Sequence, residues 1–254
     1  MAVPFWLSIV MVGIGLYIRL GILETPVFQR VVAEERVARA PVLEVLRRQP
    51  KEIILTALAR MAEQAPFYIF TAFVFTYGTT VLHSSRDLLL TALLSATILS
   101  FVMVPLSGYL SDRIGRKRMY LIGAVTMGVW GFVYFALLNT ALPGWIFLAI
   151  VLSLIPHDMQ YGPQAAMIAE CFTPRLRYSG ASLGYQLASI IAGGPSPFIA
   201  TALFAAFASS FPIALYILGC AVIGIAATAL LTDYTNKDIS EEYDRIQPAR
   251  AAAN

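Results

Sequence analysis

The sequence predicts an all-α polytopic membrane protein with about seven transmembrane helices. Hydrophobic residues make up 58% of the 254 residues and charged residues only 13%, whereas a soluble domain carries about a quarter charged residues. Apolar runs of about 20 residues, the length that crosses a bilayer, recur along the chain. Because lipid offers no partner to exposed backbone groups, such runs form helices. The predicted spans are 4–21, 53–82, 88–110, 119–140, 144–170, 180–208 and 211–232.

The spans are unevenly arranged along the chain. One span and a long polar loop precede six closely linked helices, whose short links make neighbours antiparallel. Within the loop, residues 41–52 predict a short amphipathic helix between Pro41 and Pro50, on the membrane surface, under the bundle or as a solvated linker. We therefore predict a helix at 1–21, a cytoplasmic loop at 22–52, a six-helix bundle at 53–233 and a cytoplasmic tail at 234–254.

The distribution of cations predicts the orientation. The polar loop holds six Lys and Arg residues, the stretch 108–118 holds four, residues 175–177 hold two and the tail holds three, which together are 15 of the 18. Lys and Arg favour cytoplasmic loops. The predicted orientation therefore places the tail in the cytoplasm and Met1 outside.

Composition argues against several classes of function. The net charge of +3 is too small to indicate nucleic-acid binding. The two cysteines are far apart in sequence and form no metal-binding or disulfide pattern, and two histidines are too few for a metal site without additional carboxylate ligands. The sequence has no GxxxxGK[ST] nucleotide loop. We expect no metal, no cofactor and no nucleic-acid partner.

The basic stretch 108–118, GYLSDRIGRKR, has the form G-x-x-x-D-R-x-G-R-[KR]. A glycine near a helix end lets a second helix approach closely, and a second glycine permits a very short connection. A carboxylate in the stretch can interact with a helix N-terminus. The alternative is an ordinary cytoplasmic basic loop. The motif residues are Gly108, Asp112, Arg113, Gly115, Arg116 and Lys117.

This motif resembles the signature loop of the major facilitator superfamily, whose transporters have two six-helix halves. The runs RLGILETPVF (19–28), LARMAEQAPFYIFTAFVFTY (58–77) and YGPQAAMIAECFTPRLRYSGASLGYQLASI (161–190) resemble its metabolite:proton symporters, which carry shikimate, proline and betaine, or dicarboxylates. The resemblance covers essentially the whole chain but only the rear half of the family's fold, so that residues 1–21 correspond to helix six. It implies a multi-pass protein of a bacterial-type plasma membrane.

The resemblance also implies roles for the loop. In this superfamily the loop is similar to a latch of the cytoplasmic gate. Asp112 would meet a helix end in the opposite half, and Arg113 would pair with Glu170 at the end of the fifth span. Arg177 would complete the cluster.

Charged residues within predicted spans mark a candidate site, because charges at bilayer depth are costly and commonly functional. Arg60 and Glu63 are three residues apart and share a helix face. Arg60 would bind an anionic group, and Glu63 would take part in proton coupling. The alternative is an internal ion pair that stabilises the bundle.

A second polar group lies in the fifth span, where His157 precedes Asp158. A histidine beside a carboxylate is suited to proton coupling, although adjacent helix residues point about 100° apart. The alternative is a helix kink at Pro156, stabilised by polar groups. Further residues of the predicted pathway are Gln160, Tyr161 and Gln164 on this span and Tyr185 and Gln186 on the sixth.

Two other segments predict structural features. GGPSP at 193–197 interrupts the sixth span, either as a flexing gate or as a static kink. The aromatic run 67–77 predicts packing against lipid, with Tyr68 and Tyr77 as exceptions.

The resemblance implies secondary transport of a small organic carboxylate or zwitterion with protons. One half alone does not enclose a central site, so the chain is expected to need an N-terminal half or a second copy. The alternatives are an efflux pump, a non-transporting fragment of a split or truncated gene, and an intramembrane enzyme. The last lacks a nucleophile near His157, and we predict that the protein is not an enzyme.

Overall fold

The computed structural model describes residues 3–21 and 41–235. The chain forms two compact units, Met1–Arg39 and Ala40–Asn254. In the first unit, α1 (Val3–Gly21) is an apolar helix at the predicted first span. The predicted loop residues 22–40 and most of the tail, from residue 236, lie outside the described residues.

Every regular element among the described residues of the second unit is a helix, which confirms the all-α class. The elements are α2 (Pro41–Arg48), α3 (Pro50–Tyr68), a π-helical segment (Ile69–Phe73), α4 (Val74–Thr80), α5 (Arg86–Ile114), α6 (Arg116–Leu138), α7 (Pro143–Glu170), α8 (Arg177–Ala188), a second π-helical segment (Ser189–Gly193), α9 (Ser196–Phe207) and α10 (Phe211–Leu230).

Four helical segments among the described residues are long and apolar enough to cross a membrane: Arg86–Ile114, Arg116–Leu138, Arg177–Phe207 and Phe211–Leu230. The helices α3 and α7 are not in this set. Both hold several buried polar side chains, which lower their hydropathy. The count of seven spans and the domain boundaries stay predictions.

Local sequence explains where these helices begin. The Ser85 hydroxyl accepts a hydrogen bond from the Leu88 amide at 3.2 Å and caps α5. Gly115 separates α5 from α6 with φ of +103°, a conformation that favours glycine. Pro143 occupies the first turn of α7, where its missing N–H is not needed.

Proline also accounts for an irregularity within the second predicted span. Pro66 lies inside α3 and is followed by the π-helical segment Ile69–Phe73. A proline removes one backbone hydrogen bond and commonly distorts the following turn. The predicted interruption of the sixth span is confirmed, because a π-helical segment ends at Gly193 and α9 begins at Ser196.

A large apolar core lies at the end of the bundle away from the signature loop. It contains Phe70, Phe73 and Tyr77 from the aromatic run, all at most 4% exposed. The prediction of packing against lipid is therefore wrong for Phe70 and Phe73, whereas the exception predicted for Tyr77 is confirmed. The aromatic residues of this run are distributed around the helix, so their spacing in the sequence does not show which helix face packs against α6 and α7. The core is closed by a hydrogen bond of 2.6 Å from the Tyr77 hydroxyl to Asn139.

Helix packing places the functional segments side by side. The helix α7 packs against α5 and α6, and α3 packs against α10 and α8. At the crossing of α5 and α7, a Cβ added to Gly162 would lie 2.8 Å from the backbone nitrogen of Gly108 and the carbonyl oxygen of Val104. The close approach therefore depends on Gly162. A Cβ on Gly108 would meet only the Gly162 oxygen, at 3.7 Å. The prediction that Gly108 is the glycine required for the close helix approach is therefore wrong.

Candidate functional site

The helix α3 contributes a buried ion pair. Arg60 and Glu63 lie on one face of the helix, with 3.5 Å between Nη2 of Arg60 and Oε2 of Glu63. Arg60 is 6% exposed and Glu63 is 2% exposed. A buried charge is costly unless it has partners. The second carboxylate oxygen of Glu63 therefore also requires a partner.

The helix α7 supplies that second partner. Nε2 of His157 lies 2.9 Å from Oε1 of Glu63, and Nδ1 lies 2.9 Å from Oδ1 of Asp158. Phe67 and Tyr161 stack on the imidazole, with ring centroids at 4.8 and 5.3 Å. The ring is thus fixed between two carboxylates by two aromatic side chains. We call Arg60, Glu63, His157 and Asp158 the buried ionic cluster.

The two contacts of the imidazole constrain its proton content. A neutral imidazole has one N–H, and its other nitrogen can only accept a hydrogen bond. An ionised carboxylate also only accepts. Two contacts of 2.9 Å to two carboxylates therefore need an additional proton, on the ring or on a carboxyl group. With His157 protonated, two positive groups balance the two carboxylates of the buried ionic cluster.

Residues around the cluster satisfy part of its remaining hydrogen-bonding capacity. Nε2 of Gln164 donates to Oε2 of Glu63 at 3.1 Å. Nη1 of Arg60 donates to the carbonyl of Tyr185 at 3.0 Å, and the Arg60 guanidinium lies 3.9 Å from the centre of the Tyr185 ring. Arg60 therefore connects the cluster to α8, directly before its π-helical segment.

Two buried polar atoms of the cluster have no hydrogen-bond partner within the described part of the chain. They are Nε of Arg60, a donor, and Oδ2 of Asp158, an acceptor. Native proteins rarely leave such groups unpaired without a functional reason or an ordered water. The cluster thus has capacity for an additional acceptor at Arg60 and an additional proton or donor at Asp158.

The remaining residues of the predicted pathway are placed differently. Gln160 is fully buried and donates to the Pro156 carbonyl of its own helix at 3.2 Å. Tyr161 is 47% exposed and reaches the cluster only through its ring contact with His157. Gln186 is exposed, and no described contact joins it to the cluster. No observation tests a transport role for these residues.

Sequence reasoning did not single out several neighbours of the cluster. Nε2 of Gln64 donates to the Ser189 hydroxyl at 3.2 Å, one helical turn from the contact between Arg60 and Tyr185. The Tyr120 hydroxyl donates to the Ala59 carbonyl at 3.0 Å. Spacing along α3 relates Gln64 to Arg60, but no sequence signal identifies Ser189 or Tyr120, because helix packing brings them there.

A second ionic group lies where the signature loop meets the ends of α7 and α10. Arg116 forms an ion pair with Glu170, and its Nη2 lies 3.0 Å from Oδ1 of Asp112. Lys117 donates to the carbonyls of Ala229 and Leu231 at 2.8 and 2.7 Å, at the C-terminal end of α10. The loop thereby connects three helix ends. We call this end of the molecule the basic end.

The prediction that Arg113 pairs with Glu170 is wrong, because Arg116 forms that ion pair in the structure. The guanidinium of Arg113 is exposed and lies 4.7 Å from the centre of the Tyr109 ring. The φ of +103° at Gly115 reverses the chain and directs Arg116, the first residue of α6, toward α7. Arg177 begins α8, and its Nε donates to the Phe172 carbonyl at 3.4 Å.

An all-helical bundle with several segments long and apolar enough to cross a membrane places the chain in the class of polytopic membrane proteins. The sequence matches the Major Facilitator Superfamily over residues 1–197 and 89–249. The chain belongs to this superfamily, which confirms the resemblance of its signature loop.

Curated relatives are transporters. The chain is 38% identical over 233 residues to the shikimate transporter of Escherichia coli, covering 90% of the chain and 53% of the relative. It is 32% identical to the inner membrane metabolite transport protein YhjE and 26% identical to the proline/betaine transporter of the same organism, over 92% and 93% of the chain and 54% and 49% of the relatives. The chain thus spans about half the length of the curated relatives it matches. No solved structure matches.

Proposed function

We propose that this chain forms the C-terminal half of a proton symporter for a small organic carboxylate or zwitterion. The observation that carries the proposal is the position of His157 between the carboxylates of Glu63 and Asp158, at 2.9 Å from each. That arrangement requires a proton shared between the imidazole and the two carboxyl groups, because a neutral imidazole could not donate to two ionised carboxylates. Ionisable groups paired inside a membrane bundle are typical of proton pathways.

Arg60 supports an anionic solute. Its Nε has no acceptor among the described residues, and its contact with Glu63 is long, at 3.5 Å. A guanidinium recognises a carboxylate through paired N–H groups. A solute carboxylate bound at Arg60 would add one negative charge to a cluster that is neutral when His157 is protonated. One further proton, on Glu63 or on Asp158, would compensate that charge. Solute and proton would then bind together, which is the condition for symport.

The half-fold sets the requirement for a partner. Transporters of this architecture enclose the solute between two halves and expose it alternately. The match to about half of each relative supports a missing N-terminal half, supplied by a longer chain, a separate chain or a second copy. The convergence of the signature loop, the start of α8 and residues 231–235 at one basic end supports a cytoplasmic C-terminus.

The family assignment excludes the intramembrane enzyme. An efflux pump for apolar solutes is disfavoured by the buried Arg60, which would lie against an uncharged substrate. The relatives' names also describe shikimate and proline/betaine transport, which are activities of those proteins and guide the choice of test solutes for this one.

The test is uptake into membrane vesicles by the complete carrier, in which this chain supplies the second half. Labelled hydroxylated carboxylates and betaines are offered with and without an inwardly directed proton gradient. We expect accumulation that requires the gradient and disappears with an uncoupler. Gradient-independent uptake would contradict symport, and uptake by the chain expressed alone would contradict the need for an N-terminal half unless the chain is dimeric.

A further inference from the structure

The helix α2 is fixed to the basic end by polar contacts. Glu44 forms an ion pair with Arg175 and lies 3.0 Å from Nε of Arg48. Oε1 of Gln49, the residue after α2, accepts hydrogen bonds from the amide and hydroxyl of Thr173 at 3.4 Å. Val45 is fully buried. These contacts fix both the position and the rotation of the helix.

The fixed rotation leaves an apolar stripe uncovered by the described chain. At 100° per residue, Val42, Leu43 and Leu46 fall within an arc of about 100° next to Val45. They are 50%, 51% and 47% exposed. The exposed Arg47 borders this arc beyond Leu43, about 60° around the helix from Glu44. The alternative in which these residues lie under the bundle is therefore wrong for the described chain.

The depth of the stripe follows from its connection to α3. A single residue, Gln49, separates α2 from Pro50. The exposed Lys51 is in the first turn of α3, and the apolar part of that helix begins with Ile53 and the half-exposed Ile54. Along the chain, the stripe consequently lies within a few residues of the point where α3 enters the apolar layer, and the exposed cations Arg47 and Lys51 precede that point.

We propose that this stripe is a binding surface for anionic phospholipids of the adjoining membrane leaflet. An amphipathic helix with apolar residues on one face and cations at its edge lies in the plane of the interface. Anionic headgroups attract cations near the surface, and Arg47 and Lys51 supply them. A protein surface, such as the further half that the relatives contain, is the competing occupant. This proposal does not depend on symport.

A photoreactive residue distinguishes the occupants. Benzoylphenylalanine replaces Leu43 or Leu46 in the full chain, which is placed in nanodiscs of phosphatidylcholine with or without phosphatidylglycerol. Thr140, exposed at the far end of the bundle, is the control position. We expect lipid adducts at 43 and 46 that are enriched several-fold in phosphatidylglycerol over its share of the bilayer, and no such enrichment at 140.

Charge variants test the role of the cations. Arg47→Gln and Lys51→Gln should each lower the enrichment by up to about fivefold, whereas Arg118→Gln, an exposed change on another helix, should not. Adducts with protein at 43 and 46, or lipid adducts without preference for phosphatidylglycerol, would overturn the proposal. Elution of each variant as the same species in size-exclusion chromatography shows that its fold is intact.

Discussion

Nε2 of His157 and Oε1 of Glu63 lie 2.9 Å apart, although the two residues are separated by 94 positions in the sequence. The contact joins α7 to α3, the two helices of the bundle with the most buried polar residues. It also makes the buried ionic cluster a single unit, because His157 contacts Asp158 and Glu63 contacts Arg60. A substitution at one of these four residues therefore changes the charge balance of the whole cluster.

Replacing Glu63 with Gln should uncouple uptake from the proton gradient in the complete carrier. The amide keeps the shape of the side chain and removes the negative charge that holds the shared proton. Accumulation should fall to the level reached without a gradient, and solute exchange should remain. Glu52→Gln, a change on the same helix at a less buried position, should behave as the unmodified carrier. Gradient-driven accumulation by the Glu63→Gln carrier would remove Glu63 from coupling.

The stability of the cluster gives a second prediction, which needs no transport. His157→Gln leaves the Glu63 and Asp158 carboxylates buried with only Arg60 as a positive partner. Loss of one member of a buried charge network costs about 3–5 kcal/mol. The thermal unfolding midpoint in detergent should fall markedly.

The double variant distinguishes charge from packing. Adding Glu63→Gln to His157→Gln removes the uncompensated carboxylate, so part of the lost stability should return. If the double variant unfolds below the single variant, the loss comes from the stacking of His157 between Phe67 and Tyr161 and not from charge. The same measurement on the unmodified chain provides the reference.

The sequence was sufficient to predict the membrane class, the family and the shared face of Arg60 and Glu63, because each depends on local composition or spacing. It was not sufficient to pair Glu63 with His157, since that contact depends on how α3 and α7 pack. The mistaken pairing of Arg113 with Glu170 has a local cause. The positive φ at Gly115 reverses the chain, and a motif gives the residues of a turn without the direction of each side chain.

The ion pair between Arg116 and Glu170 should stabilise the basic end measurably. Their side chains are 21% and 15% exposed, so solvent screens the pair only in part. Arg116→Gln and Glu170→Gln should each lower the unfolding midpoint, with a coupling of about 1 kcal/mol in the double variant. Arg118→Gln, on the exposed side of the same loop, is the control. Fully additive effects of the two changes would contradict the pair.

The glycines at the crossing of α5 and α7 should respond unequally to alanine. A Cβ at Gly162 would lie 2.8 Å from backbone atoms of α5, so Gly162→Ala should separate the helices and cost about 1–3 kcal/mol. Gly108→Ala should be nearly neutral, because its Cβ meets one oxygen at 3.7 Å. Gly219→Ala, with no atom within 4 Å, is the control. Equal losses at 108 and 162 would show that the helices cross differently.

Cys171 should resist alkylation across the pH range in which an ordinary thiol reacts. It follows α7, is 4% exposed, and its Sγ donates to the Met167 carbonyl at 3.2 Å. Burial raises the pKa of the Cys171 thiol to about 12, whereas a free cysteine has a pKa of about 8.5. Because the thiolate is the nucleophile, maleimide modification of the native chain should stay slow through pH 10, while modification of the unfolded chain should accelerate as the pH rises toward about 8.5 and level off above it.

A Cys220→Ser background limits this measurement to one thiol, and mass spectrometry gives the modified fraction. Nε2 of Gln49 donates to the Cys171 carbonyl at 3.5 Å, so Gln49→Ala loosens α2 and should increase the rate at a fixed pH. Lys51→Gln changes a nearby exposed charge without removing a hydrogen bond to this segment, and serves as the control. Equal rates for native and unfolded chains near pH 8 would show that Cys171 is open to solvent and would contradict its burial.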